Sequence, residues 1–172
     1  KQLIDVTKSW NCSDVTYTTV RLEDFFADIK EQALGLVEIY HQKIDWKAEQ
    51  SDKKVTIAYD PMFRAVMNMI QNAVEHTKEN GIIYIDAKEQ DDRLTFIVED
   101  SGSGFTKEAL LHGTEQFFMD DTSRNGEAHY GMGLFFAKTV AEKYGGGIKL
   151  SNSENTGGAR VEIFFLSSQE TS

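Results

Sequence analysis

Three short stretches carry residue types that could do chemistry. The first is Asp100-Ser101-Gly102-Ser103-Gly104, where a carboxylate ends the apolar run Leu94-Thr95-Phe96-Ile97-Val98 and two glycines follow. A carboxylate at the end of a buried strand can accept a directed hydrogen bond from a ligand, and glycines let the backbone turn sharply and come close to it. The second is the pair Asn68 and Asn72, one helical turn apart. A carboxamide oxygen is a hard ligand of the kind Mg2+ accepts, with waters and phosphates completing its shell. The third is Gly131-Met132-Gly133-Leu134, ahead of an apolar helical pattern. N–H groups at a helix start form a seat for phosphate, and glycines let the phosphates approach. Each stretch alone has a plain structural alternative: a turn, a solvated helix face, a tight entry into a helix. Their order along the chain, with strands between them, is what joins them.

Charge sets what such a site has to overcome. Lys plus Arg (18) against Asp plus Glu (28) leaves a net charge of −10. That disfavours sequence-independent binding to nucleic acid, which needs a basic surface. It also repels an anionic ligand, so a phosphate ligand is expected to arrive with Mg2+ or to meet local basic groups. The single cysteine, Cys12, excludes an internal disulfide and argues against a cysteine metal cluster, and a cytoplasmic setting is expected. No apolar run approaches the roughly 20 residues of a membrane span, and no cleavable signal sequence is visible. The chain has 172 residues and begins without Met. It suits one domain with a real core, and the expectation is a piece of a longer protein.

The elements that must position these groups follow from periodicity. Tyr17 to Arg21 reads as a short strand. Leu22 to about Lys43 reads as a packing helix, with Phe25, Phe26, Ile29, Ala33, Leu36, Val37 and Tyr40 at helical spacing. Strands follow near Ile44 to Ala48 and Lys54 to Ala58. Asp60-Pro61 announces a helix, Asp as N-cap and Pro at the first helical position. That helix is expected to run to Thr77 or Glu79, ended by Asn80-Gly81. On it Phe63, Val66, Met67, Ile70 and Val74 gather on one side, and Arg64, Asn68, Asn72 and Glu75 on the opposite one. Ile82 to Lys88 and Arg93 to Glu99 form a predicted hairpin joined at Gln90-Asp91-Asp92. Thr106 to His112 is a short helix. Between Gly113 and Tyr130 the periodicity fails, and a structureless loop of that length inside a domain is usually functional. Leu134 to Tyr144 reads as a helix. Gly147 to Asn152 and Ala159 to Leu166 read as strands joined by a Gly157-Gly158 turn.

With these motifs in this order, the chain resembles the catalytic and ATP-binding domain of bacterial sensor histidine kinases, part of the Bergerat group that includes gyrase, Hsp90 and the mismatch-repair ATPases. Asn68-Met69-Ile70-Gln71-Asn72-Ala73 is similar to the N box. Asp100 to Gly104 is similar to the first glycine box, Gly131 to Leu134 to the second, and Gly157-Gly158 to a degenerate final one. Glu115-Gln116-Phe117-Phe118 resembles the phenylalanine box, which is special to the histidine kinases within the group. The resemblance covers residues 15 to 166. It implies an α/β two-layer sandwich, with a mixed sheet of about five main strands and about three helices on one face.

The resemblance also implies roles. Asp100 would accept the adenine amino group, and Gly102 and Gly104 would let the chain curve under base and ribose. Asn72 would coordinate Mg2+ bridging the phosphates, with Asn68 beside it. Gly131, Gly133 and Leu134 would form the phosphate-facing entry, residues 105–130 the ATP lid, and Phe117 its docking point. Two departures matter. Glu75 stands where many relatives have a phosphate-touching Lys, and Met119 where the phenylalanine box often ends in Arg. Arg124 is then the expected lid cation, with Arg64, Lys138 and His76 as lesser candidates. The expected domains are the end of an upstream dimerisation hairpin (1–14), the ATP-binding domain (15–168) and a tail (169–172). The expected activity is transfer of the ATP γ-phosphate to a histidine upstream of this chain. The expected partners are that phosphoacceptor domain and a response regulator. The parent would be a homodimer, and this piece alone a monomer that does not phosphorylate itself. Three alternatives stay open: an ATP hydrolase, against which Asn68 stands in place of the usual Glu; a nucleotide-binding scaffold; and a serine-directed anti-sigma kinase.

Overall fold

A computed structural model describes residues 16–115 and 130–167. In chain order the elements are β1 (Thr18–Arg21), α1 (Leu22–Ile39), β2 (Lys43–Ala48), β3 (Lys54–Ile57), α2 (Tyr59–Glu75), β4 (Ile82–Gln90) and β5 (Arg93–Glu99). They continue with α3 (Lys107–His112), α4 (Tyr130–Lys143), β6 (Gly147–Asn152) and β7 (Ala159–Leu166). Five strands form one mixed sheet in the order β2-β4-β5-β7-β6, and β1 with β3 forms a separate two-stranded sheet. Only β2 and β4 are parallel; the other pairs of the large sheet are antiparallel. Helices lie on one face of that sheet, as the resemblance implies.

Alternation decides which face is covered. Ile85 pairs with Val98, Ala87 with Phe96, Phe96 with Ile163 and Val98 with Val161, so these side chains point one way. All are buried. Phe96 is the hub, meeting Phe25 and Phe26 of α1 and Phe165 of β7 edge to face, with centroids 6.0, 5.5 and 6.3 Å away. Such ring pairs add about 0.5–1.5 kcal/mol each beyond the area they bury.

Several boundaries differ from the sequence reading for local reasons. The first helix stops at Ile39, not near Lys43, because His41 takes a left-handed φ of 56°. Gln42 N–H then returns to the Val37 carbonyl, closing a Schellman turn. Helix α2 begins at Tyr59 with Ala58 as N-cap; Asp60 sits inside the first turn and makes no capping bond. Its charge still suits the helix N-terminus, and Pro61 is tolerated where the N–H would be unpaired anyway. The same helix ends at Glu75, short of Thr77. The hairpin turn narrows to Asp91-Asp92, both with positive φ, as a two-residue type I′ turn requires.

The entry to α4 is the largest difference. The helix begins at Tyr130, so Gly131 and Gly133 lie in its first turn and not ahead of it. Its far end closes at Gly145 (φ 88°), with Gly146 N–H on the Ala141 carbonyl.

Candidate nucleotide-binding site

The end of β5, the end of α2 and the loop after β6 converge on Asp100. Asp100 is the first residue past β5 and is 2 % exposed. Its Oδ1 accepts two backbone hydrogen bonds, from Gly102 N–H at 2.9 Å and Ala159 N–H at 3.0 Å. Its own backbone is held as well: Asp100 N–H donates to the Ala159 carbonyl, and Thr156 Oγ1 donates to the Asp100 carbonyl at 2.7 Å. One carboxylate oxygen is thus spent on the protein, while no described residue donates a hydrogen bond to Oδ2. Burial pushes the Asp100 carboxyl above the usual carboxylate range, partly offset by the two N–H donors and by the charge of His76.

Two glycines here are demanded by the protein's own packing. A Cβ on Gly102 would stand 2.3 Å from the His76 carbonyl oxygen, and one on Gly158 would stand 2.1 Å from the Asp100 carbonyl oxygen. Neither collision is relieved by a flexible side chain. Gly102 therefore clamps the loop after β5 onto the end of α2, and Gly158 lets the β6–β7 loop reach the carboxylate. Gly104 has a φ of 85° and is needed for that turn. Asn152 braces the next residue, accepting from Phe105 N–H at 2.7 Å and donating to its carbonyl at 3.2 Å.

The amide pair departs from the sequence reading. Asn72 was expected on a face opposite the core stripe; it is 4 % exposed, and Asn68 is half-buried. The reason is tertiary. Helix α2 is central and packs against both α1 and α4, so α4 covers the flank that a lone helix would leave to solvent. The Asn72 side-chain oxygen is buried without a hydrogen-bond partner among the described residues, an arrangement that costs about 1–3 kcal/mol unless something else completes it. His76 Nδ1 lies 2.8 Å from the Asn72 carbonyl, linking the amide turn to the turn that meets Gly102.

The structure brings Gly133 to the same place, where a Cβ would lie 3.8 Å from the Asn68 carbonyl oxygen. Leu134 is fully buried in the core, so its part is to anchor the first turn of α4. Glu75 accepts from Gln71 Nε2 at 2.8 Å and offers phosphate no cation. Phe117, Met119, Arg124 and His129 lie outside the described residues, as do residues 1–14 and the tail; of Gly131 only its place in α4 is described.

Sequence reasoning missed Thr156 and the Ala159 N–H as parts of the site. The available signal was local. Ser153 Oγ accepts from Asn155 and Thr156 N–H, a Ser-initiated turn that aims Thr156 at the end of β5.

The α/β sandwich thus gathers along α2 a buried carboxylate with one oxygen held by the backbone, a buried amide oxygen and a glycine-bearing helix start. The chain belongs to the family described as histidine kinase-, DNA gyrase B-, and HSP90-like ATPase, which matches residues 58–169. Membership of that family implies that the domain binds ATP. Sensor histidine kinase SpaK of Bacillus subtilis is 38% identical over 120 residues, 70% of this chain and 26% of that protein. Nisin biosynthesis sensor protein NisK of Lactococcus lactis subsp. lactis is 32% identical over 162 residues, 92% of this chain and 35% of that protein. The chain therefore spans about a quarter to a third of these curated relatives' length. Among solved structures, the catalytic domain of histidine kinase ThkA superposes with a TM-score of 0.74 at 19% identity, covering 90% of this chain and 99% of that one. Mycobacterial sensor histidine kinase MprB gives 0.73 at 18%, covering 89% and 100%. At these identities the likeness is one of fold.

Proposed function

We propose that this is the catalytic domain of a sensor histidine kinase, donating the γ-phosphate of MgATP to a histidine on an upstream dimerisation domain. From there the phosphoryl group would pass to a response regulator. The carrying observation is Asp100. Two backbone N–H groups hold one of its oxygens, which fixes the other as a pure acceptor for an exocyclic amine. Guanine presents a carbonyl at the equivalent place, so a carboxylate there favours adenine. Gly133 supports the phosphate end, because its nearest protein neighbour leaves room for a methyl group. Packing among the described residues does not require glycine there; close approach of a phosphate to unpaired N–H groups would.

The residues fit a magnesium ion shared with the nucleotide. Asn72 Oδ1 is buried and unpartnered. Among the described residues no three His, Cys, Asp or Glu side chains gather into a cluster that could hold an ion, so phosphates would have to supply most of its ligands. When bound, the ion would neutralise phosphate charge. The protein's task in phosphoryl transfer is chiefly positioning and charge neutralisation, and Asp100, Gly133 and Asn72 are placed for that.

The described histidines are occupied otherwise. His41 closes α1, His76 bonds the Asn72 carbonyl, and His112 pairs with Glu115 on an exposed turn. That supports an acceptor outside this domain. No helix among the described residues is long and apolar enough to cross a membrane. We read the domain as cytoplasmic and monomeric, working within a homodimeric parent. Glu75 favours a second reading, a nucleotide-binding scaffold with poor transfer, because it puts a carboxylate where a phosphate would want a cation. Radiolabelled ATP mixed with this domain and an isolated histidine-bearing helical hairpin decides between them. Label on the hairpin histidine is expected; nucleotide binding with no label would leave the scaffold.

A further inference from the structure

Helix α2 gives the nucleotide a direction. Its C-terminal end meets the base site, where Gly102 closes on the His76 carbonyl at a distance that admits no side chain. Stepping back one turn at a time from His76, the helix presents Asn72, then Asn68, then Arg64, each about 6 Å from the last along the axis. A phosphate chain leaving the base past Asn72 therefore runs toward Arg64. Gly133 flanks Asn68 from α4. Three residues further along α4 comes Phe136, fully buried, with the Arg64 guanidinium over its ring, 5.2 Å from the centroid. Arg64 is exposed and is the one basic residue in α2.

We propose that Arg64 binds the γ-phosphate, so that the cleft tells a nucleoside triphosphate from a diphosphate by a guanidinium one turn beyond Asn68. The inference rests on the nucleotide reading above. A planar guanidinium can grip a phosphoryl group through two parallel N–H bonds, and the Phe136 face holds the plane in position beforehand. A cation is useful there, because the chain as a whole carries −10 and would otherwise repel a phosphate. Arg64 is also at the end of the line from which the phosphoryl group departs.

Calorimetric titration of the domain and its Arg64→Gln and Arg64→Lys variants with MgADP and with a non-hydrolysable MgATP analogue tests this. Arg64→Gln is expected to weaken the triphosphate by roughly 10- to 150-fold, the range for a charge-assisted contact, while MgADP changes by less than about 2-fold. Arg64→Lys should recover part of the difference. Equal weakening of both nucleotides would mean Arg64 only pins α2 to α4, and no change in either would mean it touches no phosphate; both overturn the proposal. Should Arg64→Gln not fold, the wild-type Arg64 side-chain NMR signal reads the same contact. It should move with the triphosphate and stay with MgADP, and equal movement or none overturns the inference. A wild-type domain that binds neither nucleotide removes the site reading itself, which is a different failure.

Discussion

The two ends of the cleft are built on opposite plans. At the proposed base end the chain holds Asp100 Oδ1 and its carbonyl, through Gly102, Ala159 and Thr156, and Asn152 holds the Phe105 backbone, so that Asp100 Oδ2 is kept in a fixed place. At the proposed phosphate end Asn72 Oδ1 is buried and unanswered among the described residues, and packing among those residues does not ask for a glycine at Gly133. On the proposed reading, the base pocket would be preorganised before any ligand arrives, and the phosphate seat would be finished by what binds. Preorganisation saves ordering cost on binding, so selectivity for the base belongs at the rigid end. The other end, on the same reading, would have to admit a charged group and its metal and then release the product.

Asp100→Asn gives the sharpest break in that comparison. An asparagine has one side-chain oxygen, which the Gly102 and Ala159 N–H groups already claim, so its NH2 would face the ligand's own donor. Nucleotide affinity is expected to fall by about 1.5–3 kcal/mol, the worth of a hydrogen bond to a charged group. Thermal unfolding should stay close to wild type. Affinity retained in calorimetry would show that Asp100 does not select the base.

Paired glycine substitutions separate the two plans directly. Gly158→Ala sets a methyl against the Asp100 carbonyl and carboxylate, at 2.1 and 2.6 Å. It should destabilise the fold by about 1–3 kcal/mol, the cost of overpacking, and impair binding through displaced Asp100. Gly133→Ala has room and improves helix propensity by up to about 1 kcal/mol. It should leave the ligand-free fold as stable or more so and still weaken nucleotide binding. Urea unfolding alongside calorimetry reads both, and a destabilised Gly133→Ala would erase the contrast.

Asn72→Leu tests the orphaned oxygen. Removing a buried polar atom that lacks a partner is expected to stabilise the ligand-free domain by about 1 kcal/mol, while magnesium-dependent nucleotide binding drops. Stability lost together with binding would mean the carboxamide has a structural partner after all. Function and stability pull apart here, as they do at sites kept for a ligand.

The smallest effect expected is one of pH. Burial raises the Asp100 carboxyl above its ordinary range. An acid with a higher pKa in the folded chain holds its proton more tightly there. Lowering the pH from its folded toward its unfolded value therefore favours the fold, and raising the pH through the same interval disfavours it. The base contact runs the other way, since the ionised carboxylate is the form that only accepts. Acidification should weaken nucleotide binding from a pH above that of an ordinary aspartate, with no loss of ligand-free stability traceable to this residue. Calorimetry and urea unfolding across the acid range measure the two separately; Asp100→Asn should abolish the pH response.

Much of the fold was legible because its elements carry strong periodicity. The alternation of Leu94, Phe96 and Val98, and of Val161, Ile163 and Phe165, gave the covered face, and the Phe25-Phe26-Ile29-Ala33 spacing gave α1. The motifs were legible because carboxylate, amide and glycine at those spacings have few other joint uses. Boundaries were less so. His41 ends α1 through a left-handed turn that no proline or glycine marks, and α4 starts four residues before its apolar pattern does.

The order of motifs and the chemistry each can perform belong to the sequence alone, because residue type and spacing set which groups can accept, donate or approach. What the tertiary structure decided is which of those groups are free. Asn72 reads as solvated on an isolated helix and becomes a buried, unanswered oxygen only once α4 closes over its flank. Asp100 has two equivalent oxygens in the sequence, and they become one structural and one open acceptor only when the start of β7, 59 residues away at Ala159, comes back to bond it. Contacts between segments that distant along the chain exist only after folding, so no local pattern could have announced them.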